Sequence, residues 1–301
     1  MTSFRQEFVS RRVRRYLAEC AAFVVAAFAA VVVALSAQQV GSSRTALAEV
    51  LDANNKPIVD IEADDFVVQE AGQPREILSV HVADYPIVVM VDVGRAAQSD
   101  LPFIQRAVAR FLERIGEQRP VALGIYGDHA RIVAGFDAER SRLIERLSAL
   151  SVSDSMESVA MEGAAEAART ASSTGAIFSA AIVVASAGSD DRSARVDELI
   201  GPIVGSGTMV HVIANRADRF SPPQAPGMVA ALRSLADQTR GGYTTIYSAA
   251  SYQVALEQLA NRLATELMVE YLVPNNSRAA DVKLGVRIPG VRVRGLGVAP
   301  R

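Results

Sequence analysis

Asp92, Ser158, Asp190 and Asp191 are the side chains whose positions most invite chemistry. Asp92 ends the apolar run Ile87–Val91 and opens the loop Asp92-Val93-Gly94-Arg95-Ala96. A second loop, Ser186-Ala187-Gly188-Ser189-Asp190-Asp191, follows another apolar run, and Ser155-Met156-Glu157-Ser158 supplies a third. Open α/β sheets bind ligands in such loops, at the carboxyl ends of strands where the connections diverge. Each carboxylate also has a plainer reading. Asp92 can cap the helix that follows it, and Asp190 and Asp191 can be solvated loop charges.

Catalytic chemistry is poorly served. There is no GxxxxGK phosphate loop, and Gly205-Ser206-Gly207-Thr208-Met209-Val210 lacks the third glycine of a dinucleotide fingerprint. In Val184-Ala185-Ser186-Ala187-Gly188 a valine stands where a nucleophile elbow needs its first glycine. His211 sits inside an apolar run and reads as a buried or edge histidine, not a general base. The single cysteine, Cys20, and the scattered His81, His129 and His211 cannot form a zinc cluster, a disulfide framework or a CxxC redox pair. A net charge of −2 argues against a nucleic-acid partner.

The elements that would position these loops alternate. From residue 87 the chain reads as strand Ile87–Val91, helix Leu101–Ile115, and strands Val121–Tyr126 and His129–Ala134 about a two-residue Gly127-Asp128 turn. Helices Ala138–Leu150 and Val159–Thr170 and the strand Ala180–Ser186 come next. Helix Val196–Val204, strand Thr208–Ala214, helix Met228–Arg240, strand Tyr243–Tyr247 and helix Tyr252–Leu267 complete the series. Continuous apolar strands alternating with helices predict an α/β fold: a doubly wound, mainly parallel sheet covered on both faces. On helix 101–115, Arg106, Arg110 and Arg114 recur every four residues, which predicts a solvated face.

Before and after this region the text changes to short strands. Ala46–Leu51, Phe66–Val68 and Ile77–Val82 precede it, with turn residues at Asn54-Asn55-Lys56-Pro57 and Ala71-Gly72-Gln73-Pro74. Val269–Val273, Val282–Ile288 and Val291–Leu296 follow it. The expectation is a small flanking β module built from residues 45–83 and 268–298 around an α/β domain at 84–267. The alternative is that the last strands extend the central sheet.

Residues 1–37 form a separate device. Arg5, Arg11, Arg12, Arg14 and Arg15 precede sixteen uninterrupted apolar residues, Cys20–Leu35, and then Ser36-Ala37. Basic start, apolar stretch and small-residue exit make a secretory signal, cleaved after Ser36 or Ala37; an uncleaved anchor is the other reading. Either sends the rest of the chain out of the cytoplasm, to the periplasm, the exterior or an outward-facing membrane site. Membrane contact would then come only through residues 18–37, if they are retained.

On these motifs taken together the chain resembles a von Willebrand factor type A (VWFA) domain, and more closely the secreted VWFA-related proteins of acidobacterial-type genomes. The resemblance rests on Leu51-Asp52-Ala53-Asn54-Asn55-Lys56-Pro57, Asp64-Asp65-Phe66, Gly72-Gln73-Pro74 and the strand ending in Asp92. It also rests on Leu235-Ala236-Asp237-Gln238-Thr239-Arg240-Gly241-Gly242-Tyr243 and Glu270-Tyr271 with Pro274. It implies a Rossmann-like domain whose top face ordinarily holds a divalent cation in a metal-ion-dependent adhesion site, through an Asp-x-Ser-x-Ser loop, a later Thr and a second Asp. Carried over, Asp92 matches and Ser158 keeps a hydroxyl, while Gly94, Ala96 and Ala187 replace three oxygen ligands. Mg²⁺ gives up its waters reluctantly, so so few donors imply no metal unless Asp190 remodels the site. The expectation is therefore a non-enzymatic protein without a cofactor. It would bind a protein partner through top-face residues Asp92, Gly94, Arg95, Ala96, Ser158, Ala187 and Asp190. An inert top face on an envelope scaffold is the competing expectation.

Overall fold

The computed structural model describes residues 42–154, 158–187, 196–216, 226–275 and 281–299. The chain divides into two units, residues 1–43 with 272–278, and residues 44–271 with 279–301. Of the first unit only the start of one strand (42–43) and the end of another (272–275) are described. The second unit carries everything below.

Its central sheet has six strands: β5 (Ile87–Asp92), β6 (Val121–Tyr126), β7 (Arg131–Ala134), β8 (Ala180–Ala185), β9 (Met209–Asn215) and β10 (Gly242–Ile246). Their spatial order is β10-β9-β8-β5-β6-β7, and all pair in parallel except β7. β5, β6, β8 and β9 are buried along their whole length, because helices cover both faces.

The pleat sends alternate residues of β5 to opposite cores. Ile87, Val89 and Val91 pack with α1 (Leu101–Arg114), α2 (Arg140–Ser148) and α6 (Ser251–Leu263). Val88 and Met90 pack with α3 (Ala160–Ser172), α4 (Val196–Ser206) and α5 (Pro226–Gln238). On α1, Leu101, Ile104, Val108, Phe111 and Leu112 are buried, and Arg106, Arg110 and Arg114 are exposed. α3 buries small residues, and a Cβ on its Gly163 would stand 3.0 Å from the Tyr126 ring, so this helix lies unusually close to β6.

Two antiparallel sheets complete the unit. One has the order β13-β1-β11-β4, from β1 (Ser42–Leu51), β4 (Ile77–Val82), β11 (Leu267–Val273) and β13 (Arg292–Ala299). The other joins β12 (Val282–Val286), β2 (Phe66–Glu70) and β3 (Gln73–Arg75). Strands from before and after the α/β region therefore share sheets, and the late strands do not extend the central one. Glu70, buried to 1% exposure, is ion-paired with the buried Arg44, linking β2 to β1.

Some boundaries differ from the sequence reading. β6 and β7 are joined by four residues, not two: Arg131 pairs opposite Ile125, and a register shift lies between Leu123 and Gly124. The exposed Asp128 sits within this loop, its carboxylate accepting the His129 N–H at 3.0 Å. α6 stops at Leu263, four residues early, because Arg119 caps it by donating to the Leu263 carbonyl at 3.0 Å, and the chain then enters β11 at Leu267. The segment 1–41, which carries the signal or anchor expectation, lies outside the described residues. Among the described residues no helix is long and apolar enough to cross a membrane.

Candidate functional site

The carboxyl ends of β5, β6, β8 and β9 meet at one edge of the central sheet, with the connections of β5 and β8 leaving to opposite faces. Asp92 ends β5 there and is fully buried. Its Oδ1 accepts the Gly94 N–H at 2.9 Å. Its Oδ2 accepts the Ser186 N–H at 3.3 Å and the Ser186 hydroxyl at 2.5 Å. One carboxylate thus ties its own loop to the loop after β8.

A second buried carboxylate does related work. Asp100, 4% exposed, follows a 3₁₀ turn at Arg95–Ser99 and leads into α1. Its Oδ2 accepts the Ala187 N–H at 2.9 Å and the Asn215 amide at 2.9 Å, and lies 3.0 Å from the Tyr252 hydroxyl. That hydroxyl is also 2.7 Å from the Ala185 carbonyl, so one proton serves two acceptors. Burial, then the neighbouring Asp100 carboxylate, pushes the Tyr252 hydroxyl far above the usual phenol range. Asp100, Asn215 and Tyr252 were not singled out by the sequence, since residues 115 and 152 positions after Asp100 have no spacing that announces contact.

The other loops close on the same place. Val93 donates its N–H to the Tyr126 carbonyl at 2.8 Å and accepts the Ser153 N–H at 2.7 Å. A Cβ on Gly127 would lie 3.1 Å from the Ser153 hydroxyl and 3.4 Å from the Gly94 nitrogen, so glycine permits this approach. The hydroxyls of Ser153 and Ser158 are buried and make no hydrogen bond among the described residues.

Of the residues singled out by sequence, Asp92, Gly94 and Ser158 are buried, Ala96 and Ala187 are half-buried, and Arg95 is exposed. Asp190, with Asp191, Glu157 and Gly188, lies outside the described residues. Exposed around the rim are Gln98, Ser99, Asp128, His129 and Asp154. Among the described residues, no group of three or more His, Cys, Asp or Glu side chains is placed to hold a metal ion.

Comparison of the whole chain with solved structures decides the architecture. A von Willebrand factor type A protein from Catenulispora acidiphila superposes with a TM-score of 0.51 at 13% identity, covering 87% of this chain and 74% of that one. This is a von Willebrand factor type A fold. Proximal thread matrix protein 1 from the mussel byssus, with a zinc-occupied MIDAS motif, matches at TM-score 0.50 and 12% identity. There the A-type chain aligns over 65% of its own length but only 49% of the mussel protein. BatB from Bacteroides thetaiotaomicron aligns at TM-score 0.43 and 17% identity, over 60% of this chain and 98% of that one. No family model matches the sequence, and no curated protein matches it significantly.

Within the A-type fold the Tyr252 hydroxyl is the joint between α6 and the two loops. Tyr252→Phe should therefore lower stability by about 1–2 kcal/mol, through Asp100 and Ala185 acceptors left short of a donor. Amide exchange should rise first at Ala187, whose N–H is held by Asp100. Unchanged exchange at Ala187 would separate the hydroxyl from the loop.

Proposed function

We propose that this is an exported, non-enzymatic A-type protein that binds a protein partner through its top face without a bridging metal. The reading rests on one observation: both oxygens of Asp92 accept hydrogen bonds from the protein's own Gly94 and Ser186. The residues present fit a cation badly. Positions 94, 96 and 187 carry no side-chain oxygen, and a cation at Asp92 would have to displace a hydroxyl and two amides.

In this reading Asp92 and Asp100 preorganise the loops, and the exposed Arg95, Gln98 and Asp128 make the contact. Preorganised loops on a rigid sheet reduce the ordering cost of binding. Export rests on residues 1–37, and the strands of 45–83 and 268–298 form a β module that carries the domain.

A photocrosslinker at position 95 tests the surface, with position 177, exposed at 57% between α3 and β8, as control. Crosslinking in native envelopes should yield one protein adduct from 95 and none from 177, unchanged by chelator. Equal yields at both positions favour the inert scaffold. Titration calorimetry with Mg²⁺ should give no heat of binding; a micromolar isotherm that Asp92→Ala abolishes would overturn the metal-free reading.

A further inference from the structure

The A-type unit has a second polar recess, remote in sequence from the top-face loops. A cavity of about 250 Å³ opens between β9, β10 and α6, walled by His211, Gly242, Thr244, Leu259, Gln258 and Arg262. That is roughly eight water volumes at ~30 Å³ each, room for a molecule of a few heavy atoms.

Its chemistry is one-sided. Arg262 directs Nη2 at Nδ1 of His211, 2.9 Å away. A guanidinium can only donate, so Nδ1 is the acceptor and the imidazole proton sits on Nε2. Burial, reinforced by the Arg262 charge, lowers the His211 pKa to about 3, which keeps the ring neutral. His211 is 3% exposed, and its Nε2 has no hydrogen-bond partner among the described residues.

Through this contact His211 fixes the plane of the guanidinium. Among the described residues Arg262 forms no ion pair, leaving Nε and Nη1 uncommitted. The facing wall is Gly242, and the Cβ it lacks would touch both terminal nitrogens at 3.8 Å, so a side chain at this position would cover them. The acid that acts on Arg262, Glu266, is raised by burial to about 7 and gives it little compensating charge in mildly acidic solution.

We propose that this cavity binds a small monoanionic carboxylate, gripped by the guanidinium of Arg262 with Thr244 and Gln258 as neutral donors at the mouth. The planar fork matches the two oxygens of a carboxylate. A single cation balances one negative charge, and phosphate gains its second, uncompensated charge only in the range where Glu266 also ionises; below it, the tetrahedral monoanion fits the planar fork less well than a carboxylate does.

The test is an NMR titration of the full chain with acetate, propionate and inorganic phosphate, following the His211 ring nitrogens and the Arg262 Nε–H. Saturable shifts at millimolar acetate or propionate are expected, with phosphate weaker by tenfold or more. Arg262→Gln should abolish the shifts. Gly242→Val adds its methyls to the cavity from a position where the Cβ itself fits without displacement, and should weaken binding at least tenfold with the circular dichroism unchanged. No saturable shift with any carboxylate, shifts that persist in Arg262→Gln, or tighter binding of phosphate would each overturn the proposal.

Discussion

Gly241→Ala is expected to cost about 4 kcal/mol or more, which removes most of the stability of a domain at the low end of the ordinary range of ~5–15 kcal/mol. A Cβ at this position would stand 1.8 Å from the Val210 carbonyl oxygen and 2.4 Å from its carbon. Backbone on backbone offers no rotamer to relieve such a clash. The site is also fixed from the other side. Two residues past the end of α5, Arg240 lies in the left-handed region at φ 62°, and Gly241 returns its N–H to the Ala236 carbonyl at 2.9 Å. Moving Gly241 would strip that bond and shift β10, whose Gly242 pairs with His211. Gly205→Ala within α4 is the matched control, since nothing lies within 4 Å of the added carbon, and should be neutral or up to ~1 kcal/mol stabilising. Urea denaturation of both variants decides it; equal midpoints would mean that β9 gives way more easily than the packing implies.

Glu266→Gln is expected to remove a pH dependence instead of a contact. Glu266 is 2% exposed and receives the Tyr85 hydroxyl. Burial raises its pKa from 4.5 to about 7; Glu49 acts in the same direction, and the Tyr85 bond, Arg262 and Arg119 oppose it. The folded protein therefore holds a proton that the unfolded chain releases. Stability from this group is fully present below pH 4.5, declines through the window to about 7, and is gone above it. At ~1.4 kcal/mol per unit, the decline amounts to about 3 kcal/mol. Glutamine keeps an acceptor for Tyr85 and cannot ionise. The variant should match the parent at pH 4.5 and exceed it by about 3 kcal/mol at pH 8. The parent alone would hide this, because His211, held neutral down to about pH 3, loses stability as the pH falls below 6.5, against the trend of Glu266. A difference between variant and parent that does not change with pH would sink the assignment.

The α/β architecture was legible because β5, β6, β8 and β9 bury both faces, and only continuous apolar runs can do that. Element ends were less so. The last turn of α6 is set by Arg119, a residue far away in sequence, and the loop between β6 and β7 by a register shift that composition does not encode. In the candidate site, Asp92 could be read from its place at the end of an apolar strand. Asp100 could not, since a carboxylate ahead of Leu101 looks like any helix start. Yet it makes no side-chain cap there and reaches Ala187, Asn215 and Tyr252 instead. The recess at His211 was equally hidden, because Arg262 reads as one more charged position on an amphipathic helix.

The pairing of β1 with β13 has a mechanical consequence. The strands run antiparallel, with Thr45 opposite Ala299 and Leu51 opposite Arg292, so residues 45 and 299 sit side by side at one end of the ladder. Tension pulling these two residues apart meets the hydrogen bonds one after another, as a zipper does, and not all together in shear. Such a ladder opens at low force while the parallel sheet and its helices carry no load. If the protein is tethered through these two strands, it would behave under pull as an extensible link that lengthens before its α/β layer is disturbed.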